Sequence, residues 1–367
     1  MTEQLVPYRP ETFSAPGEII AELLEERCLS QKELARRMGR PQKTINEIIH
    51  GKAALTPETA YQLEMVLGTP ASYWLTHEAH YRAYLARSRE EDEFSASYDW
   101  LDRMPLSELK EQGVLPNLRN QGKNKAVLLR SLLQFFGVAS PKELETIYGE
   151  KPAAYRRSMS EPSDPYATAA WLRLGELQAA DLACNRYDRQ KFAVALHQIR
   201  GMTVLPPEEF EPTLKQLCAT AGVALALVPA ISRARVSGAA RWVLNKPVIQ
   251  LSLYGKTNDR FWFTFFHEAA HILKHSHKLI FLDELDGAVL NEEELEANAF
   301  AAEVLIPRRY HDELSALRSK DAVRAFAGRL GIHPGIVVGR LQHDGLIEPS
   351  WMNDLKDTFT WKETVDA

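Results

Sequence analysis

A chain of 367 residues, 45% hydrophobic and 25% charged, is globular with room for two to four domains, which excludes a disordered or fibrous protein. It has no run of about 18 apolar residues, which excludes a helical membrane span, and the start "MTEQLVPYRP" lacks the basic-then-apolar pattern of a signal peptide. The net charge of −5 excludes a globally basic nucleic-acid binder, and three scattered cysteines without a CxxC pair exclude a disulfide framework or a thiolate zinc site, so a reducing cytoplasmic setting is expected.

The first helix is expected over "SAPGEIIAELLEERCL", where apolar residues recur at helical spacing behind a serine and a proline. "LSQKELARRMG" opens with a capping box, Ser30 with Glu33, and Gly39 supplies a sharp turn. A second short helix starts near Pro41 and ends at Gly51. "TPETAYQLEMVLG" begins Thr-Pro and stops at Gly68, and a further helix runs through "YWLTHEAHYRAYLARSREED" to an acidic stretch, Glu90 to Glu93, that reads as a domain boundary.

Charge is concentrated in this region: Arg27, Lys32, Arg36, Arg37, Arg40, Lys43 and Lys52 face only Glu33 and Glu47. With Leu34, Ala35, Met38, Ile45, Ile48 and Ile49 turned inward, Gln31, Gln42, Lys43 and Asn46 face out. That is a helix-turn-helix, whose second helix enters a major groove. Glutamine and asparagine read adenine edges, while lysine and arginine take guanine or phosphate, and helix N-terminal amides add phosphate affinity. Gln31, Arg40, Gln42, Lys43, Thr44 and Asn46 are the candidate DNA contacts.

The segment from Phe13 to Tyr84 resembles the Cro/C1-type helix-turn-helix of the HigA antidote family, through "PGEII", "LSQKELARRMG", "INEIIHGK" and "LTPETAYQLEMVLGTPASYWL". The resemblance implies operator DNA as a partner, a homodimer on a palindromic site, and a toxin–antitoxin context.

From Trp100 to Arg200 helical signals continue. "SPKELETIYG" offers another capping box, Ser140 with Glu143; "YRRSMSEPSDPYA" is a connector; "ATAAWLRLGELQAADLAC" and "RQKFAVALHQIRGM" are long helices. After Pro206, "GVALALVPA", "VSGAARWVL" and "KPVIQLSLYG" read as strands of a small sheet. The helix "FWFTFFHEAAHILKHSH", an acidic helix "NEEELEANAFAAEVLIP" and a helical tail to "WMNDLKDTFTW" complete the chain. The expected class is mainly α with a small β-sheet (α+β). The expected segments are a helix-turn-helix domain at 1–95, a helical middle at 96–165, a domain at 166–310 that holds the small sheet and the histidine-bearing helix, and a helical C-terminal region at 311–367.

The chemistry lies in the apolar helix. His267 and His271 are four residues apart, so both rings fall on one helix face within reach of one ion. Zinc accepts neutral imidazole and carboxylate, and a catalytic site keeps one position open for water. Glu268, beside the first histidine, suits proton transfer from that water, and HExxH is the sequence signature of this arrangement. The flanks Phe261 to Phe266, Ile272 and Leu273 argue against a solvated face, and two histidines and a glutamate buried without partners would be costly.

A third ligand is open among Glu292, Glu293, Glu294 and Glu296. Glu294 and Asn298 share a face at i, i+4, so Glu294 can bind while Asn298 orients a ligand histidine; Glu296 is the second choice. His275 and His277 are expected to cap the helix end rather than ligate. Tyr254, Tyr310 and His311 are candidate oxyanion donors, and the strand from Val248 to Leu253 is a candidate edge for an added substrate strand.

"FWFTFFHEAAHILKH" followed by "EEELEANAFAAEVLIP", with "PVIQLSL" before them, resembles the ImmA/IrrE family of zinc metallopeptidases from roughly Ala167 to Pro307. The resemblance implies a gluzincin-like core, a Zn²⁺ cofactor and Glu294 as third ligand. Ala270 stands where many relatives carry glycine. In the tail, "AVRAFAGRLGIHPGIVVGRLQHDGL" reads helix, glycine turn, helix, but Pro334, Gly335, Ile336, Val337 and Val338 leave few side chains to read bases, so a structural or substrate-positioning role is expected, with His333 and His343 as ordinary polar residues. Together these imply a DNA-binding regulator fused to a zinc endopeptidase that cleaves a repressor or related regulatory protein. The alternative is an antitoxin-like repressor whose peptidase-like domain holds a toxin or senses without turnover.

Overall fold

The computed structural model describes residues 14–95, 97–149, 164–275, 281–284 and 292–361; most of the connector near residue 160, and His277, lie outside them. The chain is mostly helical with one small sheet, and it divides into two compact units, Met1–Asp99 and Trp100–Ala367.

The first unit holds α1 (Pro16–Glu26), α2 (Gln31–Met38), α3 (Gln42–Ile49), α4 (Pro57–Leu67) and α5 (Ala71–Ser95). The capping box at α2 is half formed. Ser30 Oγ accepts the Glu33 N–H at 3.1 Å, but the Glu33 carboxylate turns to Arg36 and Arg37 at 2.9 Å each, because two guanidiniums one turn on outcompete a backbone N–H. Gly39, at φ 63°, turns the chain into α3 without the Cβ penalty of the left-handed region. Leu34, Met38, Ile45, Ile48, Leu63 and Trp74 form the core. The acidic stretch from Glu90 to Glu93 lies within α5, and the division into units falls after Asp99.

The second unit begins with α6 (Leu106–Glu111), α7 (Asn124–Phe136) and α8 (Pro141–Leu144). The expected capping box at α8 does not form: the Ser140 hydroxyl donates to the Glu143 carboxylate and caps no backbone N–H, and α8 passes into a π-turn over Glu145–Gly149. Then come α9 (Pro165–Asp181), α10 (Arg189–Gly201), α11 (Pro207–Thr220), β1 (Ala224–Leu227), β2 (Val236–Val243), β3 (Lys246–Leu251), α12 (Asn258–Lys274), β4 (Phe281–Glu284), α13 (Glu292–Leu305), α14 (His311–Leu314), α15 (Lys320–Leu330) and α16 (Pro334–His343).

The sheet order is β1-β3-β2-β4. β2 and β3 form a hairpin whose turn residues, Leu244 and Asn245, both have positive φ, the geometry that matches strand twist. β3 therefore has a neighbour on each side, parallel β1 and antiparallel β2, so its backbone is saturated and it is not the edge on which a substrate strand could add. The edges are β1 and β4.

Helix α9 covers one face of the sheet and α12 the other. Gly175 of α9 lets the Gln250 side chain approach; that amide donates to Trp171 O at 2.7 Å and accepts from Arg241 at 2.9 Å. On the far face Trp262, Phe265 and Phe266 of α12 are wholly buried, each contributing roughly 1.5–3 kcal/mol of apolar burial. Such a helix, apolar all round, is stable only when enclosed, and α13 and α16 enclose it.

In the tail, α15 and α16 meet at Gly331 (φ 66°), and Ile336, Val337 and Val338 are buried, the expected structural use of this second helix–turn–helix. His333 is not an ordinary polar residue: Asn258 Nδ2 lies 2.6 Å from its Nδ1, and its Nε2 is 3.0 Å from Asp357. Beyond a 3-10 turn at Asn353–Leu355 the tail runs extended instead of helical. Asn258 N–H donates to Asp357 O at 2.9 Å, Phe359 N–H donates to Lys256 O at 2.7 Å, and the Phe359 ring sits 5.5–5.6 Å from Phe261 and Phe210. Among the described residues no helix is long and apolar enough to cross a membrane.

Candidate metal centre and nucleic-acid-facing helices

His267 and His271 project from α12 with 2% exposure each, and their Nε2 atoms lie 3.0 Å apart. Helix α13 crosses α12 closely where Ala297, wholly buried, leaves room. The crossing delivers Glu294, with Oε2 3.1 Å from His267 Nε2 and Oε1 3.4 Å from His271 Nε2. One donor atom from each of the three lies within 4.8 Å of the others. Two imidazole nitrogens and a carboxylate converging on one point form a donor set that suits a divalent cation of the zinc type.

The protonation states suit it as well. His267 Nδ1–H donates to Asn298 Oδ1 at 3.0 Å, which leaves the Nε2 lone pair facing the centre. Burial holds the His271 pKa down to about 2, aided by His267 and His275 alongside, so its imidazole is neutral, as ligation requires.

Glu268 is wholly buried beside His267, against β2. Its carboxylate fits because residue 238 is glycine: a Cβ there would stand 2.7 Å from Glu268 Oε1 and 2.5 Å from Thr264 Cγ2. The candidates divide cleanly. Glu294 and Asn298 meet the histidines, whereas Glu296 points to Lys274 at 2.8 Å and His275 at 3.2 Å. The His275 backbone N–H ends α12 on His271 O at 3.1 Å, but its ring does not cap the helix; it meets His271. Tyr310 packs on Phe326, His311 contacts Ile306 O at 3.1 Å, and Tyr254 is partly exposed. Sequence reasoning missed two contributors, Gly238 and the inward His275. The second was readable, since His275 follows His271 by the same four residues that separate the first pair.

In the first unit Gln42, Lys43 and Asn46 are exposed on α3, and Asn46 Nδ2 donates to Gln31 Oε1 at 3.4 Å, joining the outward faces of α2 and α3. Thr44 is half-buried. Arg40 is turned away, bonded to Gln62 at 2.5 Å and Glu58 at 3.2 Å, so it stands apart from the other five candidates.

With this geometry in place, comparison with known proteins finds a likeness in each unit. Residues 20–74 match the helix-turn-helix family model, and residues 230–342 match that of the IrrE N-terminal-like domain, of the peptidase type. The latter takes in α15 and most of α16, beyond the stretch to Pro307 that carried the resemblance. The uncharacterized HTH-type transcriptional regulator YddM of Escherichia coli K12 is 45% identical over 60 residues, which are 16% of this chain and 64% of that protein. A solved antidote protein of a plasmid maintenance system from Nostoc punctiforme is 26% identical and covers 23% of this chain and 93% of its own, with a TM-score of 0.23. A HigA-family addiction module antidote protein from Coxiella burnetii is 26% identical, covering 23% and 91%, with a TM-score of 0.21.

Proposed function

We propose that the chain is a cytoplasmic DNA-binding transcriptional regulator whose second unit is a zinc-dependent endopeptidase acting on a regulatory protein. The observation that carries this reading is the convergence of His267, His271 and Glu294 beside the buried carboxylate of Glu268. His267, His271 and Glu294 would hold the ion. When bound there, zinc supplies a Lewis acid and lowers the pKa of water. Glu268 takes the proton of the attacking water and passes it to the departing amine; its burial on α12 fixes that carboxylate in place. Asn298 holds the His267 ring in the tautomer that ligation requires. In the first unit Gln31, Gln42, Lys43 and Asn46 read operator DNA, and the regulator acts as a homodimer on a palindrome. Joining the two functions confines cleavage to promoter-bound targets.

Elemental analysis of the full chain tests the centre. About one zinc per chain, lost in His271→Ala, is expected for a three-ligand catalytic site. Glu268→Gln should keep the metal and lose cleavage of candidate repressors by roughly 10²–10⁴-fold. A folded chain that takes up no zinc overturns the peptidase and leaves a DNA-binding, antitoxin-like protein. A deletion of the first unit that still cuts peptides but loses selectivity supports confinement, and unchanged selectivity overturns it.

A further inference from the structure

We propose that His275 and Glu296 form a two-step relay that orients His271 toward the ion, making His275 a positioning residue of the centre. The inference rests on the metal reading above. His271 Nδ1 lies 2.9 Å from His275 Nδ1, and His275 Nε2 lies 3.2 Å from Glu296 Oε2. Two neutral imidazoles facing each other through Nδ1 share one proton between those two atoms, and its position is not arbitrary.

If the proton sits on His275, that ring turns a bare Nε2 lone pair on the Glu296 carboxylate, two acceptors face to face. His271 then carries its own proton on Nε2, where ligation needs a lone pair. If the proton sits on His271 Nδ1, every contact outside the ion's own position is made, and the lone pairs of His267 Nε2, His271 Nε2 and Glu294 that face one another are those the ion would take. His271 donates to His275 Nδ1, His275 donates from Nε2 to Glu296, and His271 Nε2 is left as a lone pair toward His267 and Glu294.

Glu296 therefore selects the ligating tautomer of His271 from two residues away. It is half exposed, so its charge stays solvated at little cost, and Lys274 Nζ occupies its other oxygen at 2.8 Å, which leaves Oε2 for His275. The outcome parallels the other ligand, where Asn298 sets the tautomer of His267. Helix α13 thus supplies one ligand, Glu294, and the terminal orienting group for each histidine of α12. The carboxylate that competed with Glu294 as a ligand has a separate role.

A plain structural clip between α12 and α13 is the competing account, and Lys274 separates the two, because it holds the clip through Glu296 Oε1 and touches neither histidine of the relay. The full-length chain, stripped of metal, is titrated with Zn²⁺ against a chromophoric chelator, and the Co²⁺ absorption spectrum is recorded. His275→Phe is expected to weaken Zn²⁺ binding 10–100-fold and shift the Co²⁺ bands. Glu296→Gln is expected to weaken it less, His275→Gln, which keeps an acceptor, to recover part of the loss, and Lys274→Met to bind as wild type. Because Glu296 is exposed, Glu296→Gln reports even where His275→Phe fails to fold. Wild-type affinity and spectrum in both His275→Phe and Glu296→Gln overturn the relay while leaving the metal site intact. A loss in Lys274→Met equal to that in His275→Phe also overturns it, in favour of the clip. A wild-type chain that binds no Zn²⁺ overturns the metal reading itself.

Discussion

At the scale of single residues, the centre depends on what is small as much as on what is charged. Gly238→Ala places a methyl group 2.7 Å from Glu268 Oε1. Overpacking of this kind costs about 1–3 kcal/mol, and a carboxylate displaced by an ångström can cost on the order of 10²-fold in turnover. The expected variant is folded, binds zinc as wild type and cleaves slowly; zinc content beside peptide turnover checks it, and normal turnover refutes it. In the first unit, Asn46→Ala removes a side chain proposed to read bases and releases Gln31. Operator affinity should fall by about 1–3 kcal/mol with little change in salt dependence, measurable by a binding titration at two salt concentrations. The pairing of His267 with His271 and the place of Glu268 beside them were legible from helical spacing, whereas spacing left the third ligand open among four glutamates, and Glu294 was singled out by the face it shares with Asn298 and by the family resemblance. Gly238 was not legible, since its meaning comes from a helix packed across the sheet. Nor was the turned-away position of Arg40, which is set by Gln62 and Glu58 on another helix.

At the scale of elements, α12 is held at both ends by groups distant in sequence. At its N-terminal turn Lys356 Nζ meets Asp259 Oδ2 at 2.7 Å, with the two side chains only 10% and 9% exposed. Lys356→Met leaves a buried carboxylate uncompensated, and about 3 kcal/mol of stability should be lost. Asp259→Asn combined with Lys356→Met should recover much of that, which thermal or denaturant unfolding of the three chains will show. Helices were well marked in the sequence by their apolar period and by glycine and proline at their ends. Sheet order was not. Three short strands carry no mark of which lies in the middle, and so β3 looked available when hydrogen bonding to β1 and β2 had already claimed both its edges. β4 went unseen, because Phe281–Glu284 is a four-residue run with two acids and becomes a strand only through pairing with β2. The tail misled for a similar reason: its last residues read as helix but are pinned by backbone hydrogen bonds to Lys256 and Asn258.

For the molecule as a whole, each unit has its own apolar core, and among the described residues the candidate metal cluster of His267, His271 and Glu294 lies in the second. Unfolding followed by calorimetry should show two transitions, of which zinc raises only one. At a thousandfold excess over Kd the gain is about 4 kcal/mol. A single transition, or a shift in both, would mean the units do not fold independently. The hydrogen bond from Phe359 to Lys256 then has a consequence in time. A ribosome adds roughly 5–20 residues per second, and early domains fold while later ones are still being made. The DNA-binding unit is complete once Asp99 has emerged, whereas the base of α12 waits for Phe359. For roughly ten seconds to a minute, by that synthesis rate, each nascent chain has a finished DNA-binding unit and a peptidase-like unit whose supporting strap has not yet been made.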